Sequence, residues 1–140
     1  MAESVPTGDR YRYQRRYPTG ELFANVSGYF SFTLGSTQLE RTQNATLSGT
    51  TAQLELQGLG NLFNDKVNTG DVVTTLRSDL QQVAKDALGN RDGSVVLLDP
   101  RTGAIKALWS FPSYDPNLIA SHDFNAAKAA KTFYLSLIHI

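Results

Sequence analysis

Cysteine is absent from these 140 residues. That removes disulfide frameworks, thiolate metal sites and cysteine nucleophiles together, although it leaves the compartment open. Histidine is nearly absent too. His122 and His139 are the only two, and nothing at metal-ligand or triad spacing accompanies either. There is no excess of charge of one sign: 13 basic and 13 acidic residues give a formal net charge of zero. Nucleic-acid binders usually show a basic excess on one face, so the balance argues against that class. No apolar run approaches the roughly 18 residues that a membrane-spanning helix needs. Met1–Gly8 also has neither the basic start nor the apolar centre of a signal peptide. No glycine is followed by Lys-Ser or Lys-Thr, so the phosphate-loop pattern is missing.

What is present reads as a folded α+β chain. Hydrophobic residues make up 41% and charged residues 19%, which excludes a disordered composition. Arg10–Tyr17 alternates with period two. It predicts a strand with Tyr11, Tyr13 and Tyr17 on one face and Arg10, Arg12, Gln14 and Arg16 on the other. Interleaved arginines and aromatic rings also suit a stacking surface for single strands, but the zero net charge favours a half-buried strand with a solvated arginine face. Tyr29–Leu34 alternates again and predicts a strand, which Gly35-Ser36 breaks before a short helical turn over Thr37–Arg41. Gln53–Phe63 fits helical spacing only loosely, and Asn64–Asp71 reads as a loop. Val72–Leu76 predicts a strand. Asp79–Leu88 predicts a helix, with Ser78 as N-cap, Gln81 completing a capping box and Gly89 as the stop. The alanine-rich stretch from Phe124 to Tyr134 favours a further helix.

The most informative stretch is residues 93–117. Ser94–Leu98 is a β-branched apolar run, Asp99-Pro100-Arg101-Thr102-Gly103 has turn chemistry, and Ala104–Ser110 is a second strand. Pro112-Ser113-Tyr114-Asp115-Pro116-Asn117 follows, with Asp115-Pro116-Asn117 expected as a turn. This order resembles the opening hairpin of the transpeptidase domain in class B penicillin-binding proteins. Val5–Asn25, Val26–Ser31 and Ser36–Arg41 are similar to the region that precedes that domain in actinobacterial proteins of the penicillin-binding protein A type, and Asp115–His122 continues the likeness.

The resemblance implies a β-rich N-terminal pedestal over residues 1–70 and an incomplete start of a transpeptidase domain over 71–134. It implies that residues 135–140, which leave the family pattern, are foreign to it or a native apolar end. It also implies that the chain stops before the catalytic serine. The family's chemistry needs a serine three residues before a lysine, a Ser-x-Asn and a Lys-Thr-Gly. None of the three occurs here, and Lys131-Thr132 is followed by Phe133. No catalytic, metal-ligating or cofactor-binding residue is therefore expected, and no covalent penicillin adduct.

The remaining candidates have plainer roles. Asp99 and Asp115 both precede proline in turns, where a carboxylate bonds nearby backbone more readily than it does acid–base work. His122 is expected to be solvated or capping, and Trp109 to pack in a core. By resemblance the parent protein is a peptidoglycan D,D-transpeptidase at the outer face of the plasma membrane. It would be anchored by a helix absent here, with peptidoglycan and cell-wall synthesis proteins as partners and no nucleic acid. A self-sufficient extracellular α+β binding module is the alternative. If the first reading holds, the hairpin belongs to a larger sheet and exposes an uncovered face and an unpaired edge.

Overall fold

The computed structural model describes residues 1–50 and 69–138. The expected helix-like stretch Gln53–Phe63 and most of the Asn64–Asp71 loop lie outside the described residues, as does His139. The architecture is α+β, with three separate two-stranded antiparallel sheets among the described residues, joined by helices. Strands β1 (Glu3–Pro6) and β2 (Tyr13–Arg16) form the first hairpin. A 3-10 turn (Gly20–Phe23) and helix α1 (Ala24–Ser27) follow. Strands β3 (Phe30–Ser31) and β4 (Gly35–Ser36) form a minimal second hairpin, and helices α2 (Gln38–Thr42) and α3 (Asn44–Leu47) come next. Helix α4 (Ser78–Leu88) leads into the third hairpin, β5 (Gly93–Leu98) and β6 (Ile105–Phe111). Helices α5 (Pro116–Ile119) and α6 (Phe124–Ile138) end the described chain.

The third hairpin forms where its sequence pattern puts it. Its turn closes with Asp99 N–H on Ala104 O at 2.9 Å and Gly103 N–H on Asp99 O at 2.8 Å. Gly103 sits at φ +72, a conformation that costs glycine little. Val95 pairs with Trp109 and Leu97 with Ala107 in register. Helix α4 covers that face with Leu80, Ala84 and Leu88, spaced four residues apart on one side of the helix. Ala84 and Ala107 are nearly inaccessible, and two such small side chains let helix and sheet approach closely enough to enclose Trp109, 1% exposed. Full burial of a large apolar side chain contributes about 1.5–3 kcal/mol. Gly89 stops the helix at φ +59. The other side of the hairpin is bare. Val96, Leu98 and Ile105 remain exposed, the last two paired with each other just past a register break between Leu97 and Leu98.

A second core joins both halves of the chain. Ala24 and Tyr29 pack with Tyr114 and Ile119, and Leu34, Ala130 and Tyr134 close around them. The edge-on contact of Tyr29 and Tyr114, with ring centroids 6.4 Å apart, is a favoured aromatic geometry. Gly28 is essential to this arrangement. It holds φ +70, and an added Cβ would stand 2.4 Å from the Thr37 carbonyl oxygen.

Several expectations are corrected. Residues Arg10–Tyr17 do not form one strand. β2 begins only at Tyr13, Arg12 turns the chain at φ +62, Tyr13 is exposed and Tyr17 is buried, so the three tyrosines do not share a face. Tyr29–Leu34 is likewise broken, because the chain reverses after Ser31 and Gly35-Ser36 is the returning strand rather than a terminator. Val72–Leu76 joins no ladder, and Val73 is 92% exposed. The outer edge of β6 is satisfied instead by Thr75 Oγ1 on Ile105 O, Arg77 N–H on Lys106 O and the side chain of Gln81. Helix α4 starts at Ser78, one residue early, and its cap position Arg77 makes no side-chain cap bond. The capping box is absent because Gln81 is drawn into the core. Asp115-Pro116-Asn117 opens a short helix rather than a simple turn, with Asp115 as its N-cap.

Candidate functional site

The polar groups that the fold gathers lie along the seam between the N-terminal segments and the hairpin–helix unit. Gln81 is fully buried and makes three bonds there. Its Nε2 donates to Leu22 O at 2.8 Å and to Leu108 O at 2.6 Å, and its Oε1 accepts the Leu108 N–H at 2.8 Å. One side-chain amide thus serves as an extra strand residue beside β6 while holding the 3-10 turn against it. Asn117 does the same for Tyr17: its Oδ1 accepts the Tyr17 N–H and its Nδ2 donates to the Tyr17 carbonyl, each at 2.9 Å. Asp115 Oδ1 fixes Asn117 in turn, through the Asn117 N–H at 2.9 Å and Nδ2 at 2.8 Å.

The Tyr17 side chain continues the network. Its hydroxyl accepts the Phe30 N–H at 2.8 Å and donates to Glu40 Oε1 at 3.2 Å. Glu40 is buried at the same time against Arg15 Nε, 2.7 Å away. Burial pushes the Tyr17 phenol well above its ordinary range, and the Glu40 charge adds to the shift, so the hydroxyl stays a donor. A buried carboxylate is tolerated when its charge is paired and hydrogen-bonded, and Arg15 and Tyr17 both supply this at Glu40 Oε1. Closer to solvent, Lys85 Nζ meets Glu21 Oε1 at 2.6 Å and lies 5.4 Å from the Trp109 ring centre. Asn25 Nδ2 donates to Ser110 O at 2.8 Å, and Ser113 Oγ donates to Glu21 O at 3.2 Å. The arrangement holds backbone to backbone; none of these groups is an activated nucleophile or a paired acid and base.

The residues weighed from sequence fall as follows. Asp99 and Asp115 each accept a backbone N–H within their own turn, from Arg101 at 3.0 Å and from Asn117 at 2.9 Å. The Arg101 N–H, ahead of other contacts, holds the Asp99 carboxyl below its ordinary range. Trp109 is a core residue, as expected, and its indole Nε1 is buried with no partner among the described residues. His122 is neither solvated nor a cap. Its ring is largely enclosed, with centroids 4.8 Å from Tyr11 and 5.9 Å from Phe32, and Nδ1 meets Asp9 Oδ2. That contact, followed by the Thr7 hydroxyl, lowers the Asp9 carboxyl pKa. The pairing spans 113 residues, so no local pattern announced it. Gln81, Asn117 and Glu40 were missed for related reasons. Gln81 looked like a helix-start residue and Asn117 like a turn residue. The one available signal was Glu40, an acidic position on the inward side of a short helix.

With this geometry in hand, known proteins give a consistent picture. Residues 1–73 match the family described as the penicillin binding protein A dimerisation domain. The peptidoglycan D,D-transpeptidase PbpA of Mycolicibacterium smegmatis is 43% identical over 132 residues, covering 90% of this chain and 27% of that protein. The peptidoglycan D,D-transpeptidase MrdA of Acinetobacter baumannii is 32% identical over 132 residues, covering 76% of this chain and 20% of that one. In three dimensions, the penicillin G acyl-enzyme structure of penicillin-binding protein A from M. tuberculosis superposes with a TM-score of 0.88 at 39% identity. It covers 94% of this chain and 32% of that one. The chain thus spans about a fifth to a third of the length of such relatives. By sequence and by fold, it belongs to the penicillin-binding proteins, within the penicillin-binding protein A type.

Proposed function

We propose that these residues are the non-catalytic front part of a peptidoglycan D,D-transpeptidase that cross-links stem peptides during cell-wall synthesis. The observation that carries this reading is the 43% identity, over 90% of the chain, to a protein of that activity of which it spans 27%. The bare side of the third hairpin supports it. Val96, Leu98 and Ile105 lie open beside a β5 edge that is unpaired among the described residues, as the first strands of a sheet do before its other strands and helices are added. In this reading residues 1–70 are the pedestal and residues 71–134 open the transpeptidase domain. The seam residues Gln81 and Asn117 seat one on the other. The pedestal holds the reactive centre away from the membrane and contacts cell-wall synthesis proteins on its outer side. No helix among the described residues is long and apolar enough to cross a membrane.

The test begins with the DNA flanking the 140 codons. An in-frame Ser-x-x-Lys, Ser-x-Asn and Lys-Thr-Gly downstream, with acylation of the full-length product by fluorescent penicillin, is the expected result. A full-length product that fluorescent penicillin does not label, or an open reading frame without those motifs, would leave a non-catalytic binding module instead.

A further inference from the structure

The tips of the first two hairpins meet beside the loop between α5 and α6. There the Arg10 guanidinium lies 4.6 Å over the Tyr11 ring. Tyr11 in turn stacks on Phe32, with centroids 4.7 Å apart and planes 13° from parallel. Asp9, the one carboxylate in the tip, is already occupied by His122. Arg10 and Arg12 are exposed, and neither joins an ion pair among the described residues. Arg12 also holds φ +62, a conformation that glycine or asparagine adopts at lower cost. Phe32 is 51% exposed and belongs to neither core.

Arg10 also donates to the Tyr11 hydroxyl, and Phe32 packs edge-on against Phe30, yet these contacts leave both guanidinium charges without a carboxylate among the described residues and about half of Phe32 open. We infer that Arg10, Arg12 and the open ring of Phe32 form a docking surface for a protein partner that presents carboxylates beside an apolar or aromatic side chain. Arginine and aromatic residues are the side chains that dominate protein interfaces, and two guanidinium groups with no carboxylate partner among the described residues select for acid on the opposing surface. Extended polyanions such as nucleic acid or an anionic membrane are held by a basic field, which a chain of zero net charge does not provide. The inference rests on the proposed reading of residues 1–70 as a contact region, and it adds where the contact is made and what chemistry meets it.

The experiment uses the full-length protein in its native host with a benzophenone amino acid replacing Phe32. The cells are irradiated, and the adduct is mapped to a peptide. The expected adduct is a protein segment with Asp or Glu within a few residues of the attachment point. Its yield falls at least tenfold with Arg10→Glu and Arg12→Glu together, and it returns when the facing carboxylates of the partner are changed to lysine. An adduct on lipid or nucleic acid, a segment without carboxylates, no adduct, or a yield unaltered by the double substitution overturns the inference. If the double variant melts well below its parent, Arg12→Gly takes its place, since it removes charge while easing the backbone. Failure of the unaltered full-length protein to be labelled by fluorescent penicillin would overturn the transpeptidase reading and leave this surface standing.

Discussion

The hairpin–helix unit and the N-terminal segments are held together by different physics. In the first, Leu80, Ala84 and Leu88 meet Val95, Ala107 and Trp109, all within one short stretch of chain. The contacts are apolar and close in sequence, so secondary-structure pattern and packing agree. In the second, strands of two to four residues bury little apolar area of their own. Beside the core that Ala24 and Tyr29 share with Tyr114 and Ile119, they are positioned by single polar side chains that reach across 59 to 100 residues, such as Gln81 to Leu22 and Asn117 to Tyr17. A region organised by packing loses stability in proportion to the atoms removed. A region organised by a few buried hydrogen bonds fails at particular residues and tolerates change elsewhere.

The sharpest way to break that contrast is Gln81→Ala in the full-length protein. It strands Leu22 O and both polar atoms of Leu108, and it should cost about 3–5 kcal/mol in urea unfolding. A loss under about 1 kcal/mol would mean that water replaces the amide and that the seam is not organised as described. Gly28→Ala comes next, at about 3 kcal/mol, because the added methyl meets the Thr37 carbonyl and the backbone stays at positive φ. Trp109 tests the packing side. Trp109→Phe should cost only about 1–2 kcal/mol, since the indole N–H has no partner among the described residues to lose, against about 3–5 kcal/mol for Trp109→Ala. Equal losses in the two variants would refute the apolar account of that cluster. Asn117→Ala should remove about 2 kcal/mol and raise amide exchange at Tyr17 selectively. Exchange that rises uniformly along the chain would count against a local clamp.

The smallest effect is one of pH. Asp9 has its carboxyl pKa lowered in the folded state, so its contribution is complete above the ordinary carboxylate range. It disappears as pH falls through the lowered value, below the ordinary carboxylate range. Asp9→Asn should therefore flatten the acid end of the stability profile and leave neutral pH nearly unchanged; an unaltered acid limb would show that the His122 contact adds nothing.

The same contrast explains what could be read beforehand. The β5–β6 hairpin and helix α4 were legible to within a residue or two because period, turn chemistry and helix stop all lie inside a short window. The likeness to the penicillin-binding proteins was legible because ordered short motifs survive in this same stretch. Arg10–Tyr17 and Tyr29–Leu34 misled because alternation reports local periodicity, whereas Arg12 and the reversal after Ser31 answer to contacts made elsewhere. Ser78 and Gln81 satisfied every local rule for a capping box, and three main-chain groups in the core, on Leu22 and Leu108, competed more strongly. Asp115 and Asn117 had the right turn chemistry, but their second task, holding Tyr17, lay 100 residues away.

That distance has a consequence for how the protein is made. Tyr17 emerges from the ribosome 100 residues before the side chain that completes its main-chain bonding. At about 5–20 residues per second, the N-terminal segments wait roughly 5–20 s in the nascent chain with that edge unfinished. We expect protease to cut ribosome-arrested chains near Tyr17 until Asn117 has cleared the exit tunnel, and to spare it afterwards. Early protection would mean that the segments fold on their own.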